Sequence, residues 1–138
     1  MAGALRDLNN PSVEVRGLLT TKQVQEEMAR AWALVMPSRA DTSPNVVKEA
    51  RVIGMSIIVS PHGGHAEYVE HGVDGLQVDS EDPDAWFTAL DSLCADFVRC
   101  KVMGRVHHQC FREHFRPKNT ADQFMELYRE LVEVHSIT

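Results

Sequence analysis

Two apolar runs, Trp-Ala-Leu-Val-Met at positions 32–36 and Ser-Ile-Ile-Val-Ser at 56–60, bracket a single stretch of helical character, and that order constrains the fold strongly. The first run is unbroken, of strand length, and ended by Pro37. Such a run suits a strand covered on both faces, as in a parallel sheet flanked by helices. Between the runs, Ser43-Pro44 offers an N-cap followed by a proline at the first helical position. Gly54 can take the left-handed conformation that closes a helix. Extended segments alternating with helices predict an α/β domain.

The remaining elements continue the alternation. Residues 13–16 read as a short strand stopped by Gly17, and Thr20 with Gln23 forms a capping box for a helix striped by Val24, Met28 and Ala31. A Gly63-Gly64 loop leads into a short helical segment at 66–70, and 75–79 reads as a fourth strand. Asp82-Pro83 starts a helix with Trp86, Leu90 and Leu93 on one face. A second helix is expected over 97–114, and a last one opened by Thr120 with Gln123 and striped by Phe124, Leu127, Tyr128 and Leu131. The expected fold is a Rossmann-like parallel sheet of about four strands with flanking helices, as a single domain over residues 1–138.

Charge and composition exclude several functions. Twenty carboxylates face fourteen Lys and Arg, an acidic balance that repels nucleic-acid backbones and anionic lipid headgroups. No apolar run approaches the ~20 residues of a membrane span, and residues 1–10 lack the basic-then-apolar order of a signal peptide. Cys94, Cys100 and Cys110 are too few and too far apart for a disulfide framework; as small buried thiols they fit a cytoplasmic protein.

Chemistry concentrates between Pro37 and Gly54. A loop there leaves the carboxyl end of a buried strand and enters a helix, which is where open α/β sheets bind ligands. The free amides of Ser43, Asn45 and Val46 at the helix start favour an anion. Asp41 precedes the cap, and Glu49 lies in the second turn on the face of Asn45. Carboxylates are poor partners for phosphate but good acceptors for hydroxyls, and a sugar nucleotide has hydroxyls at both ends. The plainer reading is that acids near a helix start are favourable in any case.

This stretch resembles the retaining glycosyltransferases of the GT-B type, which carry a Glu, seven intervening residues and a second Glu in a proline-serine loop and helix. Here Asp41 and Glu49 take those positions, followed by Gly54, the strand 57–59, Gly63-Gly64-His65-Ala66-Glu67, then Gly72 and Gly75-Leu76. The resemblance implies the later part of a C-terminal donor-binding domain. It implies Asp41, the catalytic candidate, on the hydroxyls of the transferred sugar, and Glu49 on the ribose hydroxyls. Thr42, Ser43, Asn45 and Val46 would face the diphosphate and sugar, and Gly63 and Gly64 would allow close approach to ligand. Asp41 is one methylene shorter than the usual Glu.

The donor would be a nucleotide-diphosphate sugar, with no metal or other cofactor. The family's upstream Arg and Lys for the diphosphate, and its acceptor-binding N-terminal domain, have no counterpart here. The isolated chain is therefore expected to be inactive, with that domain or a second copy of the chain as partner, and strand 32–36 as an edge re-paired by 13–16 or by another chain. A non-catalytic nucleotide-sugar-binding or oligomerisation module is the alternative.

Other motifs have simpler explanations. Asp82-Pro-Asp84 is formally an acid-x-acid metal motif but fits a helix cap. Gly63-Gly64 breaks any helical pairing of His62 with His65, and adjacent His107 and His108 cannot share a helix face. Glu67 either supports the glycine loop or touches ligand.

Overall fold

The computed structural model describes residues 10–135, which fall into two compact units divided between Ala31 and Trp32. The first holds α1 (Thr21–Arg30), with the expected capping box: the Thr20 side chain accepts from the Gln23 amide, and the Gln23 side chain accepts from the Thr20 amide. Residues 13–16 form no strand. Val13 and Val15 are 45% and 44% exposed. A short extended segment is stable only within a ladder of backbone hydrogen bonds, and alternating apolar residues do not supply one.

The second unit contains the sheet. Its strands β1 (Ala33–Met36), β2 (Ser56–Val59) and β3 (Leu76–Gln77) lie in the order β1-β2-β3, all parallel. Ala33 pairs with Ser56, Met36 with Val59, and Ile58 with Leu76. Among the described residues three strands form where about four were expected, because 13–16 stays irregular; the 75–79 segment does form a strand, contracted to two residues. β2 is central and buried along its whole length, as its apolar run requires, while β1 is an edge strand with Val35 exposed. Below the sheet, Ile58 and Val78 pack with Trp86, Ala89, Leu93, Cys100 and Met103. Burying such side chains contributes roughly 1.5–3 kcal/mol each.

Helix α2 (Asn45–Ile53) joins β1 to β2. Its N-cap is Pro44, not Ser43, and Asn45 is the first helical residue; Gly54 closes it with φ +82°. The Ser43 amide is held in a turn by Asp41, which delays the helix start. After the short 3-10 turn Ala66–Tyr68 come α3 (Pro83–Ala95), α4 (Phe97–Arg105), α5 (His108–His114) and α6 (Pro117–His135).

Asp82 caps α3 by accepting from the Ala85 amide; Trp86 and Leu93 are buried, but Leu90 is partly exposed. The single helix expected over 97–114 breaks at His107, whose φ is +60° and whose Nδ1 lies 3.2 Å from Asp74 Oδ2. The last helix starts at Pro117, ahead of the predicted cap, since proline is preorganised for a first turn; Thr120 Oγ1 instead faces the Arg116 carbonyl. Of the three free cysteines only Cys100 is buried, and Cys94 and Cys110 are exposed. Among the described residues no helix is long and apolar enough to cross a membrane.

Candidate functional site

Because β1 and β2 are parallel, the loops that follow them leave the sheet on the same side, and a ligand crevice belongs there. A cleft of about 690 Å³ opens between them. The loop after β1 contributes Arg39, Ala40, Asp41 and Thr42, and the segment after β2 contributes Gly63, Gly64 and Glu67.

The two loops interlock through backbone. Gly64 N donates to Asp41 O at 2.8 Å. A Cβ on Gly64 would stand 1.8 Å from Thr42 O, and one on Gly63, where φ is +107°, would stand 2.8 Å from Asp41 O. No larger residue fits such an approach, so the glycine pair lets one loop lie directly against the other. A buried polar chain beneath them adds a second tie. Ser60 Oγ donates to Ser38 O and, more weakly, to His62 O, and His65 Nε2 lies 3.0 Å away. The single hydroxyl proton faces acceptor-only carbonyls, so His65 Nε2–H is the donor to Ser60 Oγ. His65 Nδ1 is buried and without a partner among the described residues.

Of the expected site residues, the structure brings Asp41, Thr42, Gly63 and Gly64 together around the cleft. Ser43, Asn45, Val46 and Glu49 lie outside its lining. Asp41 Oδ1 accepts from the Ser43 amide at 3.1 Å, an Asx-type turn that occupies one of the three amides expected to be free. Ser43 Oγ is 3.4 Å from Tyr68 Oη. Glu49 is half-buried on α2 and has no hydrogen bond or ion pair among the described residues. Glu67 does face the cleft, as does Arg39, which the sequence reading passed over. Its signal was available: Arg39 is the one basic residue in the 37–44 loop.

Three charges therefore share the cleft, two carboxylates and one guanidinium. This arrangement can accept hydrogen bonds from hydroxyls and can pair with an anion at one point. Among the described residues no group of three or more His, Cys, Asp or Glu is placed to hold a metal ion.

A second charged cluster lies near the end of α2 and is closed to solvent. Arg51 is fully buried and donates to Asp74 O at 2.8 Å, to Asp74 Oδ2 at 2.5 Å and to Val106 O at 3.2 Å. The Glu70 amide donates to Asp74 Oδ1 at 2.8 Å. The Phe111 ring lies 4.5 Å from the Arg51 guanidinium carbon. Burial lowers the Arg51 pKa from its ordinary value, and the Asp74 carboxylate opposes that shift. The pair ties α2 to the 70–74 turn and to the α4–α5 junction.

Comparison with known proteins yields a consistent set of relatives. The family described as glycosyl transferases group 1 matches residues 2–96. A D-inositol 3-phosphate glycosyltransferase from Corynebacterium urealyticum is 35% identical over 101 residues, 73% of this chain and 24% of that protein. An alpha-maltose-1-phosphate synthase from Mycolicibacterium smegmatis is 31% identical over 123 residues, 85% of this chain and 32% of that protein. Among solved structures, sucrose-phosphate synthase from Thermosynechococcus elongatus is similar with a TM-score of 0.84 and 25% identity, over 96% of this chain and 33% of that one. The chain thus spans about a quarter to a third of the length of these relatives.

Proposed function

We infer function from one premise: the chain belongs to the glycosyl transferases group 1 family. Its parallel sheet with flanking helices matches part of a GT-B domain. We propose that it forms the donor-binding portion of a retaining glycosyltransferase whose donor is a nucleotide-diphosphate sugar. In that reaction the bond from the anomeric carbon to the donor phosphate breaks. An acceptor hydroxyl forms the new bond on the same face of the sugar, and its proton leaves with the diphosphate.

The observation that carries this reading is the cleft at the carboxyl ends of β1 and β2, with Asp41 and glycine backbone in its lining. Asp41 accepts hydrogen bonds from the transferred sugar, and Gly63 and Gly64 let the ligand approach the main chain. Thr42 in the cleft, and Ser43, Asn45 and Val46 beyond its lining, face the diphosphate, Ser43 through its hydroxyl since its amide is held by Asp41. Glu49 binds ribose hydroxyls beyond the cleft. In this scheme the chain's groups orient and stabilise charge, without a side-chain nucleophile and without a metal.

The relatives' names carry a phosphorylated sugar or polyol, and we extend that class to the acceptor or product of this protein. The chain by itself binds donor without turnover. A strand from a partner domain or a second copy completes the β1 edge. We place the protein in the cytoplasm, where exposed Cys94 and Cys110 stay reduced.

Calorimetry with UDP-, GDP- and ADP-sugars tests the reading. One of these is expected to bind, and Asp41→Ala is expected to weaken it by about 1.5–3 kcal/mol, the size of a lost hydrogen bond to a charged group. The matching nucleoside diphosphate is expected to be unaffected. An absence of binding by every sugar nucleotide would defeat the assignment.

A further inference from the structure

Among the described residues, Arg39 is the single cation in a cleft lining that otherwise bears the carboxylates of Asp41 and Glu67. Its guanidinium pairs with Glu81: Nη2 lies 3.6 Å from Glu81 Oε1, with the two side chains 78% and 71% exposed. That separation exceeds hydrogen-bond length, and an ion pair so open to water and salt is readily exchanged. Arg51 is the opposite case, fully buried and bonded to three acceptor atoms. One arginine is fixed by the fold; the other, held only by an exposed carboxylate, stands beside a cleft.

We propose that Arg39 is the phosphate-recognising residue of this cleft, exchanging Glu81 for a phosphate group of the ligand; this rests on the donor-site reading above. A phosphate entering beside two carboxylates meets repulsion unless a cation accompanies it, and Arg39 is positioned to be that cation. The Ser43 amide is already taken by Asp41, which removes one neutral donor that would otherwise have served. A planar guanidinium matches two phosphate oxygens at once. The phosphate belongs either to the diphosphate of a donor or to a phosphorylated acceptor, since both present the same oxygens.

The test is calorimetric titration of the parent chain, Arg39→Gln and Glu81→Gln. The probes are UDP, GDP and ADP, their nucleosides, and glucose phosphate, over a range of salt. Arg39→Gln is expected to weaken the phosphate-bearing probe about tenfold, the loss of one charge-assisted contact, with a flatter salt dependence and unchanged nucleoside affinity. Glu81→Gln removes the competitor from outside the cleft and is expected to tighten the same probe by up to about fivefold. Loss confined to the nucleoside diphosphates assigns the donor, and loss confined to glucose phosphate assigns the acceptor.

Parent-like affinity and salt dependence in Arg39→Gln would overturn the inference and leave the cleft reading standing. Unchanged or weaker binding by Glu81→Gln would overturn the exchange. Failure of the parent chain to bind any probe would overturn both.

Discussion

The start and the last turn of α2 handle charge in opposite ways. Beyond its start, Asp41, Glu67 and Arg39 line an open cleft, and their visible partners are a local amide for Asp41 and the exposed Glu81 for Arg39. In its last turn, Arg51 is fully buried, Asp74 is 2% exposed, and backbone groups from two other segments bond to the pair, with Arg51 Nε left buried and without a partner among the described residues. Charges taken out of water are held there by their mutual attraction and by added hydrogen bonds, so such a cluster is committed to the fold. Groups left facing water are available to a ligand. The contrast separates charge committed to the fold from charge left open to solvent within one helix and its neighbouring loops.

The comparison can be broken from either side. The largest effect is expected from Arg51→Met, which leaves Asp74 buried without its cation and should lower stability by about 3–5 kcal/mol. Urea unfolding measures it; a loss below about 1 kcal/mol would show that the cluster is not structural. Gly64→Ala is expected to cost about 1–3 kcal/mol of stability, as for an overpacked site, because the new methyl group meets Thr42 O. It should also abolish sugar-nucleotide binding by parting the two loops. Parent-like affinity in that variant would mean that the cleft does not depend on the glycine contact. Glu49→Ala should change stability by no more than about 0.5 kcal/mol, as for a half-buried position whose side chain has no hydrogen-bond or ion-pair partner among the described residues, and weaken nucleotide binding by about 1 kcal/mol. Unchanged calorimetric affinity would remove Glu49 from the site and confine ligand contacts to the cleft itself.

Much of the fold was legible where one element's own residues decide the outcome. The unbroken run at 32–36 became β1, the run at 56–60 became the buried central strand, and Thr20 with Gln23 formed its capping box. The misses share a cause. Residues 13–16 have strand-like composition, yet a strand exists only with a paired neighbour. Over 97–114 the helical pattern is continuous, but it gives way at His107, beside the buried Asp74. Ser43 has the chemistry of an N-cap, yet its amide was drawn into the Asp41 turn.

At the site, sequence alone determined the strand–loop–helix–strand unit, the acids at 41 and 49, and the glycine pair, because hydrophobic period and turn chemistry are recorded residue by residue. Tertiary structure decided which polar groups meet. It placed Asp41 against Gly64, brought Glu67 and Arg39 to the same opening, and left Glu49 outside it. Whether side chains from two loops share a cleft depends on how closely the backbones cross, and no local pattern in either loop encodes that distance.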